Sequence, residues 1–247
     1  AGAVLKKELD YFTDEGIDLN SYNIIEVVDD IENVRNKLGY NKVNLYATSY
    51  GTRLAYIYGM RYPQHILYSF NQRINPPGHF CYNPGVVDSV LIAYNELWKS
   101  DHANLGRSTD IILTIKKVLA TLPVKWKKIN IDPGKVRLMM FNYLYTIDGA
   151  AQIFDAFIAA ESGDYSGLAC LIMMYDMIPE MELVWGESIM KGATADYIAD
   201  KDYITGTDSK ESLIGAPLDK LYAIIKFSGF KIKLIPEEYR KPDTSYV

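Results

Sequence analysis

The chain has 247 residues, 49% hydrophobic and 23% charged, a composition that supports a packed core and excludes a disordered or collagenous chain. Its 26 Lys and Arg against 31 Asp and Glu leave a net charge of −5, and that field opposes nucleic acid and anionic lipid, so neither is expected as a partner. Cys81 and Cys170 are too few for a disulfide framework and lack zinc-ligand spacing, and no 18-residue apolar run offers a membrane insertion segment.

After a polar lead-in, Ile24, Val27, Val28, Ile31, Val34 and Leu38 recur at helical spacing. Asn23 and Glu26 are placed like a capping box and Gly39 like a C-cap, which predicts an amphipathic helix covering a sheet. Val43 to Tyr46 is β-prone and breaks at Ala47-Thr48-Ser49-Tyr50-Gly51 into a helical stretch, Thr52 to Tyr62, stopped by Pro63. Ile66 to Phe70 reads as a second strand. Strand, turn, helix and strand form a βαβ unit, whose crossover makes the two strands parallel.

Beyond Asn75-Pro76-Pro77-Gly78 the spacing turns helical: Val86 to Ser100, Ser108 to Thr121, Pro133 to Leu144, Gly149 to Glu161, Tyr165 to Met177, Glu180 to Met190 and Leu218 to Lys226. Asp132-Pro133 is a helix start and Ser162-Gly163 a helix stop. Lys231 to Leu234 is a weak strand before a polar tail. The expected class is therefore α/β, a fragment of parallel sheet followed by a large all-helical segment. Two strands cannot bury both faces of the helices that flank them, so apolar surface on Val27, Val28, Leu45 or Phe70 calls for an atypical cover, self-association being the simplest.

Ser49 sits at the turn between a predicted strand and a predicted helix, the setting of a nucleophile elbow. There the serine is lifted above the sheet, and small residues are needed two before and two after it. Gly51 satisfies this and Ala47 adds one methyl. The Tyr50 N–H at the helix start would serve as an oxyanion donor. A polar βα turn without chemistry is the alternative. Of the three histidines, His65 lies beyond a helix of about 16 Å and so at the opposite end of the sheet. His79 returns to the Ser49 side, as a pocket-wall residue or as a base, and His102 falls in an interhelical connection. Phosphate-loop, metal and dinucleotide motifs are absent, so no cofactor is expected.

Asp30 through Gly78, with Val-Asn-Leu-Tyr-Ala-Thr-Ser-Tyr-Gly-Thr-Arg-Leu-Ala at its centre and Arg-Tyr-Pro and Asn-Pro-Pro-Gly after it, resembles the α/β-hydrolase superfamily. Within it, the resemblance is to proline iminopeptidase and tripeptidyl-aminopeptidase-like serine hydrolases. Weaker similarity at Ala160 to Tyr165 and Trp185 to Glu187 is to that family's helical cap. The resemblance implies residues 1–80 as a partial hydrolase core, 81–230 as cap and 231–247 as a return towards the core. It makes Ser49 the nucleophile and Tyr50 an oxyanion donor, with a small peptide or ester as substrate. It supplies no triad Asp or His, and so implies an internal segment of a longer hydrolase. Asn71-Gln72-Arg73 departs from the family's apolar strand end, and Arg73 would occupy or reshape the pocket. The competing readings are a non-catalytic binding module derived from a hydrolase, or completion by another chain.

Overall fold

The computed structural model describes residues 2–78, 84–177, 185–198, 200–201, 212–215 and 219–241. In chain order its elements are α1 (Gly2–Asp14), α2 (Ile24–Lys37), β1 (Val43–Thr48), α3 (Tyr50–Arg61), β2 (Ile66–Gln72), α4 (Pro84–Lys99), α5 (His102–Leu105), α6 (Ile111–Thr121), β3 (Val124–Trp126), β4 (Ile129–Ile131), α7 (Pro133–Tyr143), α8 (Ile147–Glu161), α9 (Ser166–Met177), α10 (Trp185–Asp196) and α11 (Asp219–Ser228). This is an α/β fold with a small parallel sheet and a predominantly helical remainder, as the sequence implies. Among the described residues no helix is long and apolar enough to cross a membrane.

The chain divides into two compact units, one of residues 1–81, 184–201 and 221–247, the other of residues 82–183 and 202–220. In the first unit β1 and β2 pair in parallel, Tyr46 beside Phe70 and Thr48 beside Gln72, with a register shift after Val43. Side chains alternate between faces along β1, and in β2 the register shift interrupts the alternation between Ile66 and Tyr68. Val43, Leu45 and Ile66 pack on a core of Ile24, Val28, Ile57, Tyr58, Ala195, Ile235 and Tyr239. The other face carries Tyr46, Tyr68 and Phe70, which are 72%, 71% and 60% exposed, with the Tyr46 and Phe70 rings stacked at 5.4 Å.

Asn23 caps α2 as expected, its side chain accepting from the Ile25 N–H at 2.9 Å and the Glu26 N–H at 3.2 Å. The helix buries its predicted stripe only at its N-terminal half. Ile24 and Val28 are buried, whereas Ile31, Val34 and Leu38 are exposed. Of the positions expected to lack ordinary cover, Val28 is buried, Val27 and Leu45 are half-buried, and Phe70 is open.

The second unit packs α4 and α6 to α9 around Leu91, Ile111, Ile115, Met140, Ile153, Phe157 and Leu168. Asp132 caps α7 through the Gly134 and Lys135 N–H groups at 2.8 and 3.0 Å. At Gly167 an added Cβ would stand 2.9 Å from the Ala156 Cβ, a spacing that holds α8 and α9 close.

Four local expectations are corrected. The polar lead-in is the helix α1, anchored by buried Leu9. Residues 124–131 form an antiparallel hairpin, Trp126 opposite Ile129, across a Lys127-Lys128 turn with Lys127 at φ 54°. Such turns are signalled by Asn-Gly or Asp-Gly, and Lys-Lys carries no such signal. The helix placed at Glu180 to Met190 is observed at Trp185–Asp196, and residues 178–184 lie outside those described. Lys231 to Leu234 is not a strand, since its neighbourhood bonds elsewhere: the Lys233 N–H donates to the Asn20 side chain at 3.1 Å and the Ile235 N–H to the Thr194 carbonyl at 3.0 Å.

Candidate active site

β1 ends at Thr48 and α3 begins at Tyr50, leaving Ser49 as a single-residue hinge between strand and helix. It adopts φ 54° and ψ −125°, a region that non-glycine residues rarely occupy, at a cost on the order of 1–3 kcal/mol. Such a conformation persists only where the surroundings over-determine it. Here the Ser49 N–H donates to the Gln72 carbonyl at 3.2 Å, which ties the hinge to the end of β2. The Ser49 carbonyl accepts from the Thr52 N–H at 2.9 Å and from the Thr52 hydroxyl at 2.7 Å.

A serine in the N-cap position ordinarily spends its side-chain oxygen on the first N–H groups of the helix. Ser49 makes no such bond and is exposed. Its hydroxyl stands at the carboxyl end of β1, where open parallel sheets bind ligands. Tyr50 is the first residue of α3, so its N–H belongs to the helix turn whose donors point outward and whose dipole end is positive.

The requirement for small residues around the elbow takes a modified form. An added Cβ at Gly51 would lie 3.8 Å from the Ala47 Cβ, an ordinary contact, so a small side chain at position 51 has room beside the Ala47 methyl. Ala47 is buried, and with Gly51 it lines a cavity of about 320 Å³ between β1 and α3.

Below the elbow, Thr52 and Arg53 are both buried. The Thr52 hydroxyl accepts from the Asn75 N–H at 2.8 Å, and Asn75 is buried too. Arg53 pairs with Asp196 at the end of α10, N to O 2.5 Å, and the same carboxylate oxygen accepts from the Gly78 N–H at 3.0 Å. Burial pushes the guanidinium pKa down and the Asp196 charge holds it up. The segment 75–78 is thereby held at Asn75 by α3 itself and at Gly78 by Asp196, the partner of Arg53. Sequence reasoning missed Thr52, Asn75 and Asp196. The three-residue step from Ser49 to Thr52 was a legible signal, and Asp196 had none.

Arg73 directly follows the residue whose carbonyl receives the Ser49 N–H. It is exposed, with φ 53°, and turns the chain out of β2. His65 precedes β2 and its Nδ1 lies 2.9 Å from a Glu32 carboxylate oxygen. The strand between it and Gln72 spans about 20 Å, so it is remote from Ser49. His79 lies outside the described residues. His102 opens α5 in the second unit and is exposed. Among the described residues no group of three or more His, Cys, Asp or Glu side chains is placed to hold a metal ion.

Searches among curated proteins and among solved structures returned no match. A family model described as the alpha/beta hydrolase fold matches residues 11–68, which run from α1 through α2, the elbow and α3 into β2. The match covers the strand, the strained serine and the following helix together, and over these residues the chain is similar to the alpha/beta hydrolase fold.

Proposed function

We propose that the chain is a serine hydrolase acting on amide or ester bonds, of the proline iminopeptidase or tripeptidyl-aminopeptidase type. Ser49 Oγ attacks the substrate carbonyl, and its proton passes through water to the departing amine or alcohol. The resulting oxyanion is received by the Tyr50 N–H, and collapse expels the amine or alcohol to leave an acyl-enzyme that water hydrolyses. Residues 1–80 act as hydrolase core, 81–230 as its cap segment and 231–247 as the return segment, with a small peptide or ester as substrate. Arg73 is a proposed pocket residue beside the end of β2, and His79, the other, lies outside the described residues. The observation that carries this reading is Ser49 itself, strained at φ 54° and exposed, with its hydroxyl withheld from the helix cap.

A second reading, a hydrolase-derived binding module, is favoured by the surroundings of that hydroxyl, which among the described residues donates no hydrogen bond to a histidine or a carboxylate. The two part in a p-nitrophenyl ester assay with fluorophosphonate labelling. Oxyanion stabilisation without an activating base leaves weak hydrolysis. The expected result is slow turnover and slow labelling, both lost in Ser49→Ala. Activity unchanged in Ser49→Ala would remove Ser49 from the chemistry.

A further inference from the structure

The Thr52 hydroxyl has one proton and stands between two groups whose roles are fixed. A carbonyl oxygen only accepts and a backbone N–H only donates. The hydroxyl therefore donates to the Ser49 carbonyl at 2.7 Å and accepts from the Asn75 N–H at 2.8 Å, with no alternative direction. Thr52 is 4% exposed and Asn75 8%, so water does not compete readily for either bond.

The carbonyl that Thr52 holds is half of the peptide joining Ser49 to Tyr50. In a planar trans peptide the C=O and the N–H point in opposite directions. Fixing the Ser49 oxygen towards Thr52 therefore aims the Tyr50 N–H the other way, out of the helix end. Rotation about Ser49 ψ, now −125°, would swing both together. We propose that Thr52 is a positioning residue of the elbow: through the Ser49 carbonyl it sets the direction in which the Tyr50 N–H meets a developing oxyanion, and through Asn75 it ties that direction to the chain leaving β2. This rests on the serine-hydrolase reading and adds to it the part that orients the donor.

An oxyanion donor acts on the transition state, and misdirection lowers the chemical rate without weakening ground-state binding. Thr52→Val removes the hydroxyl at nearly constant shape, while Thr52→Ser keeps it. In the full chain, the rate constant for fluorophosphonate labelling of Ser49, per folded molecule, is expected to fall about tenfold or more in Thr52→Val. It should stay within about twofold of the unmodified chain in Thr52→Ser. With p-nitrophenyl acetate the loss should appear in kcat and leave KM in place. Should Thr52→Val be recovered unfolded, Thr52→Ala, which adds no methyl against the Asn75 N–H, carries the same comparison.

Equal labelling per folded molecule in the hydroxyl-free and hydroxyl-bearing variants would overturn the inference and leave the hydrolase reading standing. A chain that labels at Ser49 in none of its forms would overturn the hydrolase reading, and the positioning role with it.

Discussion

Arg53 and Asp196 meet as a buried ion pair at 2.5 Å although 143 residues separate them in the chain. The pair fastens the end of α10 to the helix that starts at the elbow, and its carboxylate also receives the Gly78 N–H. Removing the carboxylate leaves a cation in a site that excludes water, which is far more damaging than the loss of a surface pair. Asp196→Ala is expected to cost about 3–5 kcal/mol in denaturant unfolding. A loss under about 1 kcal/mol, the range of exposed ion pairs, would show that the charge is solvated in solution.

At the other end of the sheet, Glu32 accepts from Arg35 Nη2 at 2.7 Å and from the Tyr58 hydroxyl at 2.7 Å, beside His65. The Arg35 hydrogen bond above all lowers the carboxyl pKa to about 2 against an ordinary 4.5, with burial opposing and Tyr58 assisting. The Tyr58 hydroxyl is in turn pushed up to about 12, by burial first and then by its bond to Glu32. A carboxyl depressed on folding binds fewer protons in the folded chain. Its stabilisation is therefore complete above about pH 4.5 and is lost as pH falls towards about 2. Melting temperature followed from pH 5 down to pH 2 should drop less steeply in Glu32→Gln than in the unmodified chain. Glu32→Gln should itself cost about 1–2 kcal/mol at neutral pH. Parallel acid limbs would exclude this carboxylate as the cause.

In the second unit, Thr146 caps α8 by accepting the Gly149 N–H at 3.1 Å. The turn brings the Tyr143 carbonyl so close that a Cβ at position 149 would lie 2.2 Å from its oxygen. Backbone cannot withdraw as a flexible side chain can. Gly149→Ala is expected to destabilise by about 2–4 kcal/mol in spite of alanine's higher helix propensity. Thermal unfolding that is unchanged or stabilised would show that the α7–α8 connection relaxes freely.

The sheet face bearing Tyr46, Tyr68 and Phe70 presents large aromatic surface to solvent, which parallel sheets normally cover. Self-association through this face is the proposed remedy. Light scattering at micromolar concentration should give a mass above that of one chain, and Phe70→Lys with Tyr46→Lys should bring it down. A monomeric parent chain with a cooperative melt would contradict it.

Elements whose causes are local were legible in the sequence. Asn23 and Asp132 cap their helices because the N–H groups they satisfy lie two or three residues away. The turn at Ser49 was legible for the same reason, a β-prone run meeting a helix across small residues. Partners distant in sequence were not. Nothing near residue 196 marks it as the counter-ion of Arg53, and nothing near residue 75 marks it as the donor to Thr52. Periodicity placed Ile31, Val34 and Leu38 on one stripe with Ile24 and Val28, and only the tertiary structure decided that the stripe is covered at one end and bare at the other. Hydrophobic spacing specifies which face of a helix seeks cover, whereas the amount of cover depends on what else packs there. The strained φ of Ser49 has the same origin. Residue type permits it, and the bond that Ser49 donates to Gln72 and those it accepts from Thr52, set by the meeting of sheet and helix, hold it in place.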